Sequence, residues 1–413
     1  MQEENILVPK EYSEEKFVNY LKKIYNLDKF DLEIIYLIFN TNCNLACKYC
    51  YIEKSKEINF SHNSMSKKTF EEVMNYLGDL VMYQRKINQN KKKLTFIYYG
   101  SEPLMSKKYF VKSLKVIEDI CKKNSIVPDF QITTNGTLLD KEIAENLKKY
   151  KVKISISLDG KKEINDIMRV DINGNGTYNR VIDGINLLKQ FRIPFGISCT
   201  INRHNVKCFN ECANHLISLG ATSIGFNILL SARNDKIPMI SLEDLNDKLL
   251  DASENLNKLG YYEDRIQRKV EAFNKLPRFK DCGGVGNQLV FFPNGDLGTC
   301  EAYLCSKSSK IGNIESLKVE DIQENPIIKY WTERYPLNMK ECLYCPCLGI
   351  CGGGCPFNAE TLSQKNIYER DKPFCVHTDK ALNWLLKKSI QNATGKKNPY
   401  VRDVTFSYSN NFF

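Results

Sequence analysis

Thr41-Asn42-Cys43-Asn44-Leu45-Ala46-Cys47-Lys48-Tyr49-Cys50-Tyr51 sets three thiols in one loop as C-x3-C-x2-C. Three thiolates so close together can hold three irons of a [4Fe–4S] cube and leave the fourth iron open to a chelating molecule. A zinc site is the alternative, but zinc asks for a fourth nearby ligand, and nothing suitable follows within a few residues. The loop follows the apolar run Glu33 to Phe39, so it sits where a strand ends.

Outward from this loop the pattern alternates strand and helix. Apolar runs predict further strands at Leu94 to Tyr99, Asp129 to Thr133, Val152 to Leu158, Pro194 to Thr200 and Thr222 to Ile228. Helical spacing covers Lys67 to Tyr83, Lys107 to Lys123, Lys141 to Tyr150, Tyr178 to Phe191 and Val206 to Leu219, with a short amphipathic helix earlier, at Glu14 to Tyr25. Such alternation predicts an α/β fold, a parallel sheet curling into a partial (β/α)6 TIM-like barrel, because each crossover returns the chain to the same sheet. Chemistry in such folds gathers at the C-terminal ends of strands. The Cys43 loop, Gly100 to Pro103, Thr134 to Gly136 and Asp159 to Gly160 all fall there.

Composition agrees with a globular enzyme. The 413 residues are 42% hydrophobic, enough for a barrel-sized core and a smaller second domain. No run of transmembrane length occurs, and Met1 to Lys10 is polar, so a cytoplasmic protein without membrane association is expected. Sixteen cysteines in such a chain read as metal ligands rather than disulfides. The formal charge of +10 suggests nucleic acid, but the lysines fall on amphipathic helices such as Lys107 to Lys123, and anionic clusters would offset part of the surplus. No nucleic-acid partner is expected.

A second constellation lies downstream. Cys282 is followed after twelve residues by Gly295, and Cys300 comes after four more; Cys342-x2-Cys345-x5-Cys351-x3-Cys355 and Cys375 complete it. A zinc ribbon would account for four of these seven cysteines. Cys121, Cys199, Cys208, Cys212 and Cys347 read mainly as small buried hydrophobes. Gly352, Gly353 and Gly354 are expected to let backbone approach a cluster and donate amides to its sulfurs.

Over residues 33 to 230 the chain resembles the radical S-adenosylmethionine (SAM) superfamily, through Cys43, Cys47, Cys50 and the aromatic Tyr49 beside the last cysteine. Gly100-Ser101-Glu102-Pro103 resembles the family's Gly-Gly-Glu motif, with Ser101 in place of the second glycine, and implies that Glu102 meets the SAM ammonium. Ser155, Ser157 and Asp159 resemble its ribose-binding strand, alternation putting all three on the lumen face. Arg169 resembles the arginine that pairs with the SAM carboxylate, and Asn135 and Asn202 sit at strand ends where similar enzymes contact the cofactor. Taken singly, each would read as a turn or capping residue.

The seven downstream cysteines resemble the SPASM domain of peptide- and protein-maturing relatives. That resemblance implies two auxiliary [4Fe–4S] clusters, hence three in all: Cys282, Cys300 and Cys355 for one, and Cys342, Cys345, Cys351 and Cys375 for the other. The first lacks a fourth ligand; either its iron is open, to a substrate thiolate for instance, or Cys305 reaches it. Glu301 matches the position where sulfatase-maturing relatives carry an aspartate base, an exposed hairpin carboxylate being the other reading.

The expected organisation is an N-terminal helical extension (1–30), too small for a leader-binding domain, then the barrel (31–230) and bridging helices (231–281) at about Leu242 to Leu259 and Tyr262 to Leu276. A SPASM domain with a β-hairpin (282–377) and a closing helix, Thr378 to Gln391, with a tail carrying Phe406, Tyr408, Phe412 and Phe413 complete it. The implied activity is reductive SAM cleavage and hydrogen abstraction from a ribosomally made peptide, giving a thioether or carbon–carbon crosslink. Formylglycine formation on a sulfatase is the alternative, and a non-catalytic Fe–S electron carrier the reading from another class. Partners would be a peptide or protein substrate and a flavodoxin- or ferredoxin-type electron donor.

Overall fold

The computed structural model describes residues 13–50, 64–228, 241–303 and 308–393. Tyr51, Cys305 and the tail aromatics lie outside them. Strands are β1 (Ile34–Leu37), β2 (Lys93–Tyr98), β3 (Val127–Thr134), β4 (Lys153–Ser157), β5 (Phe195–Ile201), β6 (Ser223–Ile228), β7 (Tyr262–Glu263), β8 (Gln288–Phe291), β9 (Asp296–Gly298) and β10 (Lys310–Asn313). They form one sheet in the order β10-β9-β8-β1-β2-β3-β4-β5-β6-β7.

The alternation that predicted the strands decides their faces. In β2, Leu94, Phe96 and Tyr98 are buried, and in β4 Ile154 and Ile156 are, while Ser155 and Ser157 on the opposite face are half-buried. The buried faces meet apolar helix stripes in one core, such as Val73, Leu77 and Val81 of helix Lys67–Ile87 and Ile117 of helix Lys107–Lys123. Ser66 and Asp140 start two of these helices by accepting the amides of Thr69 and Ile143.

The structure departs from expectation in three places. The six-strand reading stops short: β7 pairs parallel with β6, and β8 pairs parallel with β1 at the opposite edge. The two-residue β7 carries no periodicity to read, because Glu263 turns straight into helix Asp264–Asn274 by accepting the amides of Arg265 and Ile266. Because β8 then folds back antiparallel on β9, the expected hairpin extends the barrel sheet. The closing helix runs Lys372–Ala393, earlier than expected, so Cys375 lies in its first turn. Asp371 accepts the Phe374 amide and Pro373 has a φ suited to a helix start, which sets the first turn here. Finally, helix Lys162–Met168 follows Asp159-Gly160 directly and was not anticipated.

Candidate active site and cysteine clusters

The Cys43 loop leaves β1 and is held on both sides. Its Ala46 and Lys48 amides donate to the carbonyls of Val170 (2.8 Å) and Met168 (2.9 Å), which brings Arg169 beside it. On the other side Ser101 Oγ donates to the Thr41 carbonyl at 2.9 Å and the Glu102 amide to that of Asn42 at 3.2 Å. Gly100 permits this approach: its φ is +118°, and a Cβ there would come within 2.9 Å of Ile38.

Glu102 is buried, and its carboxylate accepts from Thr134 Oγ1 (2.7 Å), the Asn135 amide (2.8 Å) and the Leu104 amide (3.0 Å). Burial raises its pKa against these bonds. Glu102 therefore ties the end of β2 to the end of β3. Asn135 Nδ2 donates to Asn44 Oδ1 (2.9 Å) and lies 3.9 Å from Cys43 Sγ. The Leu45 amide also points at Cys43 Sγ, at 3.4 Å.

Asp159 is the second hub. It accepts the Tyr49 hydroxyl at 2.6 Å and the Thr200 amide at 3.0 Å, joining the loop to the ends of β4 and β5. Arg169 Nε stands 3.1 Å from Asp159 Oδ1 without the alignment of a hydrogen bond, and its guanidinium lies 5.4 Å from the Tyr49 ring centroid. Burial raises the Cys43 thiol to about 12 and Cys47 to about 11; Arg169 opposes the rise at Cys47, and the neighbouring thiols reinforce it. Such thiols ionise readily only when a metal takes up their charge. Asn202 is engaged in its own turn, accepting the amides of His204 and Asn205. Ser155 and Ser157 are half-buried on the face of β4 opposite Ile154 and Ile156, paired with Gly196 and Ser198 of β5.

Downstream, burial raises the cysteine thiols and neighbouring thiols add to the rise within two sets, the second of which also takes in Cys347. Cys355 raises Cys300, and Cys282 raises both Cys300 and Cys355. Separately, Cys351 raises Cys342 and Cys375, and Cys345 raises Cys342. In each case burial is the larger cause. Among the described residues no three His, Cys, Asp or Glu side chains converge enough to hold a single metal ion; in a cube each thiolate binds a different iron.

A model of the radical SAM superfamily matches residues 37–216. An uncharacterized protein of Methanocaldococcus jannaschii is 32% identical over 262 residues, 62% of this chain and 81% of the relative. Radical SAM cyclopropyl synthase TigE of Paramaledivibacter caminithermalis is 26% identical over 83% of this chain and 72% of its own. A cysteine-type anaerobic sulfatase-maturating enzyme of Clostridium novyi is 25% identical over 78% and 87%. The chain belongs to the radical SAM superfamily. The fold of this radical SAM enzyme is shared with anSMEcpe solved with AdoMet and a Cp18Cys peptide (TM-score 0.70, 18% identity, 88% of this chain and 99% of that one). It is also shared with Streptococcus suis SuiB bound to precursor peptide SuiA (TM-score 0.62, 16% identity, 90% and 84%).

Radical SAM enzymes use a [4Fe–4S] cluster and SAM, and the Cys43 loop offers a fitting donor set: three half-buried thiols, amide donors at Cys43, and a buried arginine whose Nε lacks an aligned acceptor. Sequence reasoning missed two residues of this radical SAM enzyme. Asn40 is buried and donates to the Glu102 carbonyl (3.2 Å) and Ser106 Oγ (3.0 Å); its place at a strand end was the available signal. Arg334 is fully buried and donates to the carbonyls of Ile367, Gly353 (2.8 Å), Gly354 (3.3 Å) and Glu369 (3.3 Å). Its charge lowers the pKa of Cys282, Cys355 and Cys342, so it stands between the two groups. No local pattern announces it.

The glycine run behaves partly as expected. The Gly353 amide bonds Cys351, but the Gly353 and Gly354 carbonyls are held by Arg334, and a Cβ at Gly352 would meet the Asp281 amide at 2.6 Å. Glu301 departs from the exposed-carboxylate reading. It is partly buried, accepts from Gln288 Nε2 at 3.2 Å, has its pKa raised by burial, and raises the pKa of Tyr36, Cys282 and Cys300.

Proposed function

We propose that this enzyme matures a ribosomally made peptide, forming a thioether or carbon–carbon crosslink, with three [4Fe–4S] clusters. The observation that carries the reading is that β8 and β9, which lie between Cys282 and Cys300, continue the barrel sheet from β1, so these downstream cysteines are borne on the same sheet as the Cys43 loop. Cys43, Cys47 and Cys50 would hold the first cluster, which when bound supplies the electron that cleaves SAM to a 5′-deoxyadenosyl radical. Cys282, Cys300 and Cys355 would hold the second, with Cys305 or a substrate thiolate as its fourth ligand, and the quartet the third. Arg169, steadied by Asp159 and Tyr49, would receive the SAM carboxylate; the Gly100–Glu102 loop would orient the ammonium; Asn135, Ser155, Ser157 and Asn202 would line the cofactor's path. Glu301, beside the trio and the β1 tyrosine Tyr36, would take the substrate proton. A flavodoxin- or ferredoxin-type protein would supply electrons.

Two relatives with solved folds carry bound peptides, which favours a peptide substrate. Similarity to the Clostridium novyi maturating enzyme favours formylglycine formation as a second reading. Anaerobic co-expression with a small cysteine-rich or repetitive peptide, where one is encoded beside this gene, followed by mass spectrometry, tests the first. A product lacking two hydrogen atoms, with a new internal link, is expected; an untouched peptide together with formylglycine on a co-expressed sulfatase peptide would establish the second.

A further inference from the structure

Lys269 projects from the buried face of helix Asp264–Asn274 and is 3% exposed. Its ammonium lies 4.2 Å from the Phe374 ring centroid, next to Cys375 in the first turn of helix Lys372–Ala393. It forms no ion pair among the described residues, because Asp281, the carboxylate that attracts it, is engaged by Arg268 at 3.3 Å and Arg278 at 3.4 Å. Arg265 and Arg268 add repulsion, and burial drives the Lys269 pKa down to about 8. An ammonium in such a place is costly unless an anion faces it. Ala272 and Phe273 of the same helix share an apolar cluster with Cys345, Cys347 and Cys351, which sets these thiols beside the helix that carries the ammonium. A four-thiolate cube is a negatively charged body, and local charge sets its reduction potential.

We propose that Lys269 is the resident counter-cation of the cluster held by Cys342, Cys345, Cys351 and Cys375, raising that cluster's reduction potential so that it accepts an electron more readily. This rests on the quartet reading above. One electron from reductant or from an oxidising substrate radical makes the cube one charge more negative, and the fixed ammonium favours that state. Lys269 is thus a positioning residue that acts through the cluster's electrostatics.

The test uses the full chain with Cys43, Cys47 and Cys50 changed to alanine, so that only auxiliary clusters give signals. EPR-monitored potentiometry compares Lys269→Met and Lys269→Arg. In Lys269→Met one auxiliary cluster should show a more negative midpoint, at least a tenfold lower reduced-to-oxidised ratio at the parent midpoint, about 59 mV for one electron. The other should stay in place, and Lys269→Arg should restore the parent value. Loss of that cluster's iron in Lys269→Met but not in Lys269→Arg equally supports the role. Unchanged midpoints with full iron, or equal shifts in both clusters, overturn it. Cys342→Ala separates the two ideas: if it costs none of the roughly four irons of a cube, the quartet itself is wrong and the counter-cation falls with it.

Discussion

The two cysteine regions are built on opposite plans. The Cys43 loop is one short segment, stitched to its neighbours by backbone bonds from Ala46, Lys48 and the Glu102 amide and by the carboxylate of Asp159. The downstream thiols come from loops and helix ends spread between Cys282 and Cys375, and they converge because buried side chains grip distant backbone. Arg334 holds four carbonyls, while Asp371 accepts the Cys355 amide at 3.0 Å and the Asn358 side chain and presents its own carbonyl to the Cys375 amide at 2.9 Å. A contiguous motif can be local and still be rigid; a dispersed one needs a keystone.

The contrast can be broken most severely at the thiols themselves. Changing Cys43, Cys47 and Cys50 to alanine should abolish release of 5′-deoxyadenosine from SAM, measured by chromatography, while leaving the downstream iron in place. Arg334→Met should do the reverse. It strands several buried carbonyls and should cost about 3–5 kcal/mol in chemical unfolding, with iron lost from both downstream groups and SAM-site iron retained. Tyr49→Phe removes the hydroxyl bonded to buried Asp159 and should cost about 1.5–3 kcal/mol, with weaker SAM binding seen by calorimetry. Smallest in stability is Glu301→Gln, which should cut product formation while SAM cleavage persists. Burial raises the Glu301 pKa in the folded state, so its ionised form opposes folding at neutral pH. The glutamine variant should therefore be more stable at pH 7, an advantage that fades as the pH falls and Glu301 protonates, as thermal unfolding across pH will report.

Legibility in the sequence followed the same divide. The six central strands and the helices between them, the short helix Lys162–Met168 excepted, were readable because their apolar spacing is regular; helix Lys107–Lys123 matched to the residue. Cys43, Cys47 and Cys50 fall in one short loop, so their spacing in the sequence already sets the three thiols side by side. What escaped depends on distant partners. β8 is a strand because β1 offers it an edge, β7 is only two residues long, and Arg334 is bound by carbonyls that no sequence window brings together. Glu301 was ambiguous because its burial comes from β8 and the tyrosine of β1, not from its neighbours in sequence.

The pairing of β8 with β1 also dictates an order of assembly. Asn287 donates to the carbonyl of Asp31 at 3.2 Å across 256 residues of chain, so the strand that launches the first cysteine loop lacks one flank until the ribosome has made two-thirds of the protein. Long-range closure of this kind is slow. The nascent chain therefore carries the Cys43 loop beside an uncovered edge of β1 until β8 emerges to pair with it.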